Sequence, residues 1–321
     1  MYLQNTLMKN AMTKSFLSKI IFLGILPIML LLLQTNNSFG QGCSDAGFCS
    51  MNSFKPNKSD SSSHLTNQFK IGTFYGSADN AITVYGGYLE YSKQINNKLG
   101  FDTKLTSINQ TGNGISSFGL ADLFLNFNYK TANKLMFTVG GKLPLSGANS
   151  TRNNLPLPMD YQASLGTVDL ILGVGYEINK LQLVAAIQQP ITQNKNQFLA
   201  SQYPPTSKLS SFQSTNNFQR AGDVLLRISY PFSINSKLRL TPSLLPIYHL
   251  GNDTYTDELN RERTIIGSQG LTLNGNIFLD YEINTKNIIQ INFGRPFVVR
   301  DARPDGLTRG YIFNLEYKVR F

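Results

Sequence analysis

Residues 309–321 read RGYIFNLEYKVRF. Tyr311, Phe313, Leu315, Tyr317, Val319 and Phe321 fall on one side of a period-two pattern, and Ile312, Asn314, Glu316, Lys318 and Arg320 on the other. A strand turns successive side chains to opposite faces, so this stretch is extended, with one apolar and one mainly charged face. A sandwich in water could use such a strand. A face so uniformly apolar fits better against lipid, with the charged face towards a wet lumen.

The same pattern recurs upstream. In LADLFLNFNYK (120–130), Leu123, Leu125, Phe127 and Tyr129 oppose Asp122, Asn126, Asn128 and Lys130. VDLILGVGYEI (168–178) and LTLNGNIFLDYEI (271–283) alternate likewise. Between turn signals the pattern predicts strands over 68–76, 81–94, 98–109, 117–130, 134–145, 166–178, 180–190, 220–232, 236–249, 269–282, 287–298 and 308–321. That is an even number, and most are long enough to cross a bilayer at a tilt, for which about 9–11 residues suffice. Connections alternate in length. Those at 95–98, 131–134, 179–180, 233–237 and 283–287 are short, whereas on the other side 146–165, 191–219 and 250–268 are long, 110–116 and 299–307 intermediate, and only 77–80 short. Short turns at one rim and long loops at the other define an all-β, antiparallel transmembrane barrel of about twelve strands, with both chain ends on the periplasmic side.

The start of the chain fits that destination. Lys9, Lys14 and Lys19 precede an apolar run of 14 residues, Ile20–Leu33, and a polar stretch ending NSFG. This is the pattern of a signal peptide over 1–40, cleaved before Gln41. A retained membrane helix and a lipoprotein signal acylated at Cys43 are the alternatives. Removing three lysines and no acids takes the formal charge from +10 to +7, and the remaining Lys and Arg are scattered singly, which argues against nucleic acid as a partner. The absence of Trp, only 15% charged residues, and abundant Asn, Ser, Thr, Gly, Tyr and Phe suit strands.

A repeat runs through the hairpins. GLAD ends at Asp122, GTVD at Asp169 and RAGD at Asp223, and prolines follow at Pro144, Pro190 and Pro246, spaced 22, 21 and 23 residues on. Counting back 22 from Pro296 gives Asn274. The prolines end ascending strands, where a missing N–H is tolerated. The aspartates face the lumen. They either tie loop amides and neighbouring bases, fixing register, or form an acidic ring near the outer mouth that draws cations or a polar solute. Asp102, Lys104, Lys130, Lys142, Glu177, Arg227, Arg239, Asp280, Glu282, Glu316, Lys318 and Arg320 also face inward, mixed in sign. Lumen and solute-path candidates are therefore Asp122, Asp169, Asp223, Asn274, Lys142, Arg227 and Arg239.

FGLADLFLNFNYK followed by FTVGGKLPLSG resembles the outer-membrane barrels grouped as the phenol-degradation meta-pathway family, in a Bacteroidetes version. The shared features are a Gly-x-x-Asp-Leu opening (Gly119, Asp122, Leu123) and a strand ending Lys-x-Pro-x-x-Gly (Lys142, Pro144, Gly147), within residues 117–147. The resemblance implies a Gram-negative outer-membrane transporter passing hydrophobic or aromatic molecules. It brings no catalytic residues and no cofactor.

Other chemistries have thinner support. An outer-membrane hydrolase would centre on His249, with Asp253 or Asp257 beside it, but no serine adjoins that histidine. The only other histidine is His64. Cys43, Cys49, Met51 and His64 could assemble a soft metal site, yet two cysteines with five residues between them in an oxidising compartment most simply form a disulfide loop. The expected organisation is a periplasmic segment or plug over 41–67 and a barrel over 68–321. The expected function is a porin-like channel or transporter for small solutes in the cell outer membrane. Its partners would be outer-membrane lipids and, through the C-terminal strand ending in Phe321, the barrel-assembly machinery. A loop-based binding or adhesion barrel, using 191–219 and 250–268, is the main alternative.

Overall fold

In a computed structural model, which describes residues 50–56, 66–305 and 310–321, the alternating stretches form one closed wall. Its strands are β1 (Asn67–Ser77), β2 (Thr83–Gln94), β3 (Leu99–Gly112), β4 (Ile115–Lys130), β5 (Leu135–Pro144), β6 (Asp169–Ile178), β7 (Leu181–Pro190), β8 (Asp223–Ser229), β9 (Leu238–His249), β10 (Gly270–Glu282), β11 (Asn287–Val298) and β12 (Tyr311–Arg320). Phe232–Ser233 carries the β8 wall position past Pro231 and pairs with Leu240 and Arg239. Every neighbour is antiparallel, and β1 pairs with β12 from Gln68–Arg320 to Ser77–Tyr311. Closure leaves no sheet edge with unpaired backbone groups, the condition for spanning hydrocarbon with strands. The expected signal segment 1–40, both cysteines Cys43 and Cys49, and His64 lie outside the described residues.

The two faces separate as the alternation predicts. On β12, Tyr311, Phe313, Leu315 and Tyr317 are 38–45% exposed on the outside, while Glu316 is 1% exposed inside. Outward Phe69, Ile71, Leu172, Val174, Leu226, Ile228 and Phe293 continue the apolar belt around the wall. In β4 the alternation slips at a bulge opposite Leu105–Ser107. Ala121 and Asp122 are successive inward residues there, so Leu120 above and Leu123 below both keep to the lipid side.

Two details differ from expectation. The connection expected at 110–116 is a tight hairpin, because β3 and β4 run on to Asn113 and Gly114, both at positive φ (52° and 71°). Asn-Gly is the sequence that turn geometry favours. Pro246 does not end its strand. It lies three residues inside β9 and faces outward, between inward Leu245 and Ile247.

The longest loops fold over the outer mouth. Leu157, Tyr161, Phe198, Leu209 and Phe212 pack down on lumen-facing Val84, Ile108 and Ile115, and Met159, Leu165, Phe218 and Ile265 form a second apolar cluster.

Candidate functional site in the barrel lumen

Residues 50–56 lie inside the barrel. A 3-10 turn at Asn52–Phe54, closed by the Phe54 and Lys55 N–H groups donating to the Met51 carbonyl at 3.0 Å, gives this short segment two sides. Met51 and Phe54 point one way and are enclosed (0% and 1% exposed) among Phe124, Ile171, Ala186, Leu225, Leu245 and Ile247. These wall residues come from β4 and β6–β9, one arc of the barrel. Gly173 on β6 sits under the Phe54 ring, and any Cβ there would collide with it.

Asn52, Ser53 and Lys55 face the opposite arc, which is charged. The Asn52 N–H donates to Glu90 Oε1 at 2.7 Å, the Ser53 hydroxyl donates to Asp102, and the Lys55 ammonium to Glu316. Glu316 also accepts from the Tyr88 hydroxyl, and Lys70 pairs with Glu90 at 2.9 Å. Lower down, Asp280 holds Arg239 at 3.0 Å and Lys318 at 3.7 Å. Arg227 lies 5.6 Å over the Phe278 ring. The inward charges of the wall below the His249 level are mixed in sign. Lys70, Lys104, Lys142, Arg227, Arg239 and Lys318 stand against Glu90, Asp102, Asp122, Asp169, Asp280 and Glu316. Lys55 is a charge the segment adds. Below it, Asn128, Lys130, Glu177, Gln182 and Arg320, with Phe101, Met136 and Val184, line a cavity of about 390 Å³ at the periplasmic rim.

The repeated aspartates hold the outer structure. Asp122 accepts from the Ser164 hydroxyl of loop 145–168 at 2.6 Å. Asp169 accepts from Thr167 at 2.6 Å, from Gln188, and pairs with Lys142 at 3.0 Å. The proline spacing is a matter of register: Asp122 pairs across its hairpin with Pro144, Asp169 with Pro190 and Asn274 with Pro296. The third unit departs from this, because Asp223 pairs with His249 rather than Pro246. The Asn274 amide donates to the Leu245 carbonyl at 3.3 Å, within the wall.

At the outer mouth a buried knot of charges surrounds His249. Its Nδ1 lies 2.7 Å from Asp223 and its Nε2 2.8 Å from Asp253. Asp223 also accepts from Arg220, and Arg300 pairs with Asp305. Carboxylate oxygens only accept, so both ring nitrogens donate and the ring is an imidazolium. The knot then holds Arg220, His249 and Arg300 against Asp223, Asp253 and Asp305. With both nitrogens engaged, the ring has no position from which to activate a serine. Asp257 is elsewhere, paired with Arg261 and Arg263. Met51, a member of the possible metal set, accepts from the Asn126 amide through its sulfur at 3.2 Å in the lumen.

A closed twelve-stranded wall, apolar outside and polar or charged over much of its interior, defines a transmembrane barrel of the outer-membrane class. No protein-family model and no curated protein matches the chain. Solved structures with a similar fold include the NanC porin, at 12% identity over 79% of this chain and 98% of that one, with a TM-score of 0.43. The toluene transporter TodX of Pseudomonas putida matches at 14% identity over 84% and 90%, TM-score 0.39. The translocator domain of the autotransporter NalP from Neisseria meningitidis matches at 8% identity over 81% and 90%, TM-score 0.43. Likenesses at this distance carry no argument about what passes through the wall.

Proposed function

We propose that the protein is an outer-membrane channel for small solutes, closed at rest by residues 50–56. One observation supports this most directly. The lumen is filled at mid-height by a segment that is not part of the wall, while the wall positions beneath it are small: Gly173, Gly175 and Ala186. A barrel built only as a scaffold or anchor can fill its interior with its own large side chains, as small barrels do. A separable filler leaves a path when it moves. Residues 117–147, which resemble the phenol-degradation meta-pathway barrels, form most of β4 and all of β5, and both strands line this path. That resemblance supports a hydrophobic or aromatic solute.

Conductance in planar bilayers tests the proposal. The intact protein is expected to be closed most of the time, and a variant lacking residues 50–56 to conduct steadily. Absence of conductance in both, with the barrel folded by gel migration before and after boiling, would remove the channel function.

A further inference from the structure

We infer that the periplasmic rim is a collar for anionic lipid: five lysines, one in each short turn, bind the headgroup phosphates of acidic phospholipids in the periplasmic leaflet. The inference concerns the outside of the wall and is independent of what passes through the lumen.

A repeat in the turns leads there. Residues 95–98, 234–237 and 283–286 read INNK, INSK and INTK, and the three are built alike. The isoleucine N–H donates to the carbonyl four residues on, of Leu99, Leu238 or Asn287, at 2.8–3.0 Å. The Asn side-chain oxygen accepts from the N–H groups of the lysine and of the residue after it, at 2.8–2.9 Å. Such an Asn-built turn fixes the backbone on which the lysine stands. The other two short turns, 131–134 and 179–180, also end in Asn-Lys. Lys98, Lys134, Lys180, Lys237 and Lys286 are all exposed, and none forms an ion pair among the described residues. The turns themselves contain no acid, and Glu177 and Glu282 beside them occupy lumen-facing positions. The outer loops differ, because their charges are paired: Asp257 with Arg261 and Arg263, Arg300 with Asp305, and Arg303 with Asp79.

The second observation fixes the level of these lysines. Tyr91, Tyr129, Tyr176, Tyr281 and Tyr317 take outward positions at the periplasmic ends of β2, β4, β6, β10 and β12, and Tyr230 directly follows β8. Ile95, Ile178, Ile234 and Ile283, 41–57% exposed, continue the outward apolar surface into four of the turns. A girdle of aromatic rings marks the bilayer interface of a barrel. Each lysine follows its tyrosine by four to seven residues, so its stem lies along the last apolar surface and its ammonium group reaches the phosphates.

The distribution selects the occupant. The lysines are spaced one per hairpin around the wall, whereas the footprint of a globular partner gathers on one flank. A lipid annulus meets every hairpin at once. Cations without protein counter-charges favour an acidic phosphodiester over a zwitterionic headgroup, which brings a cation of its own.

The test uses the full chain in phosphatidylcholine bilayers with spin-labelled phosphatidylglycerol and spin-labelled phosphatidylcholine as probes. By electron paramagnetic resonance, the phosphatidylglycerol label is expected to associate with the wall about threefold more strongly at low salt, and about equally at about 0.5 M NaCl. Replacing all five lysines by glutamine should abolish the preference, whereas Lys195→Gln with Lys208→Gln, both in the outer loop after β7, should leave it intact. Lys237→Gln with Lys286→Gln should remove part of it, which keeps the test decisive if the fivefold variant does not fold. Equal association of the two labels with the parent protein, or a preference that survives the five substitutions, overturns the inference. Two further arms separate other anions. If inorganic phosphate removes the preference more than chloride of the same ionic strength, the collar is a site for free phosphate. If detergent-solubilised protein sediments with purified peptidoglycan through these lysines while the two lipids are not distinguished, the partner is the wall polymer. Either result defeats the lipid collar.

Discussion

Asp223 and His249 are cross-strand partners at the outer ends of β8 and β9, with Oδ1 2.7 Å from Nδ1. The other ring nitrogen reaches Asp253 at 2.8 Å, so one imidazolium joins the wall to the loop that follows β9. His249→Ala leaves three buried carboxylates facing two guanidinium groups. Removing one member of a buried, hydrogen-bonded ion set costs about 3–5 kcal/mol. The expected result is faster protease cleavage within loops 191–222 and 250–269, while the unboiled barrel keeps its gel migration.

Acid acts on the same knot through Asp305. Burial alone pushes its carboxyl up, but Arg300 and then Arg220 outweigh burial and hold it below the usual carboxylate range. A carboxyl depressed in the folded state stabilises fully above the ordinary value of about 4, and that stability is lost as pH falls through the depressed value. Loop protection should therefore decline as pH falls below about 4. Asp305→Asn should weaken protection at pH 7 and flatten the part of the acid decline that comes from this group. An unchanged acid profile in that variant would count against Asp305 as the titrating group.

Filling the Phe54 seat from the wall should open the channel. Gly173→Val puts a branched side chain where even a Cβ collides with the Phe54 ring. Overpacking of this kind costs about 1–3 kcal/mol, and undocking the segment relieves it more easily than bending the wall. Bilayer recordings should show a raised open fraction with a smaller unit conductance than the 50–56 deletion gives.

Lys55 and Glu316 give a charge-swap experiment. Lys55→Glu sets a new acid against Glu316 and Glu90 and should expel the segment, seen as conductance and as fast amide exchange at 52–55. Adding Glu316→Lys restores opposite signs and should return much of the closed state. A double variant no more closed than Lys55→Glu alone would show that this pair does not hold the segment.

The wall was legible because lipid and lumen impose opposite demands on alternate residues. Tyr311 and Glu316 announce their sides through chemistry alone, and all twelve expected strands are present. The Asp122–Pro144 spacing is legible for a related reason, since a short turn fixes hairpin register. The bulge at Ala121 could be found only by noticing that Leu120 and Leu123 must both face out. The alternation that placed Glu316 inside also marks Lys70 and Glu90 on β1 and β2, although those strands carry fewer charges to signal it. The His249 knot was not legible. Asp223 and His249 are close by register, but Asp253 reaches the ring, and Arg300 and Asp305 join the knot, through loops whose path has no period. Residues 50–56 are too short for periodicity. Their imprint was in the wall instead, as Gly173 and Gly175 on the lumen face, with Ala186 opposite Gly173 on the next strand.

The β1–β12 seam joins the first and last strands of the wall, so the most distant parts of the chain must meet before the cylinder exists. Lys70 on β1 lies 3.8 Å from Glu316 on β12, across that seam. An unzipped intermediate keeps these ions hydrated, and zipping dehydrates them together at the final step. Correct register at the seam thus brings Lys70 and Glu316 together in the lumen, and closing the cylinder and burying this charge cluster become one step.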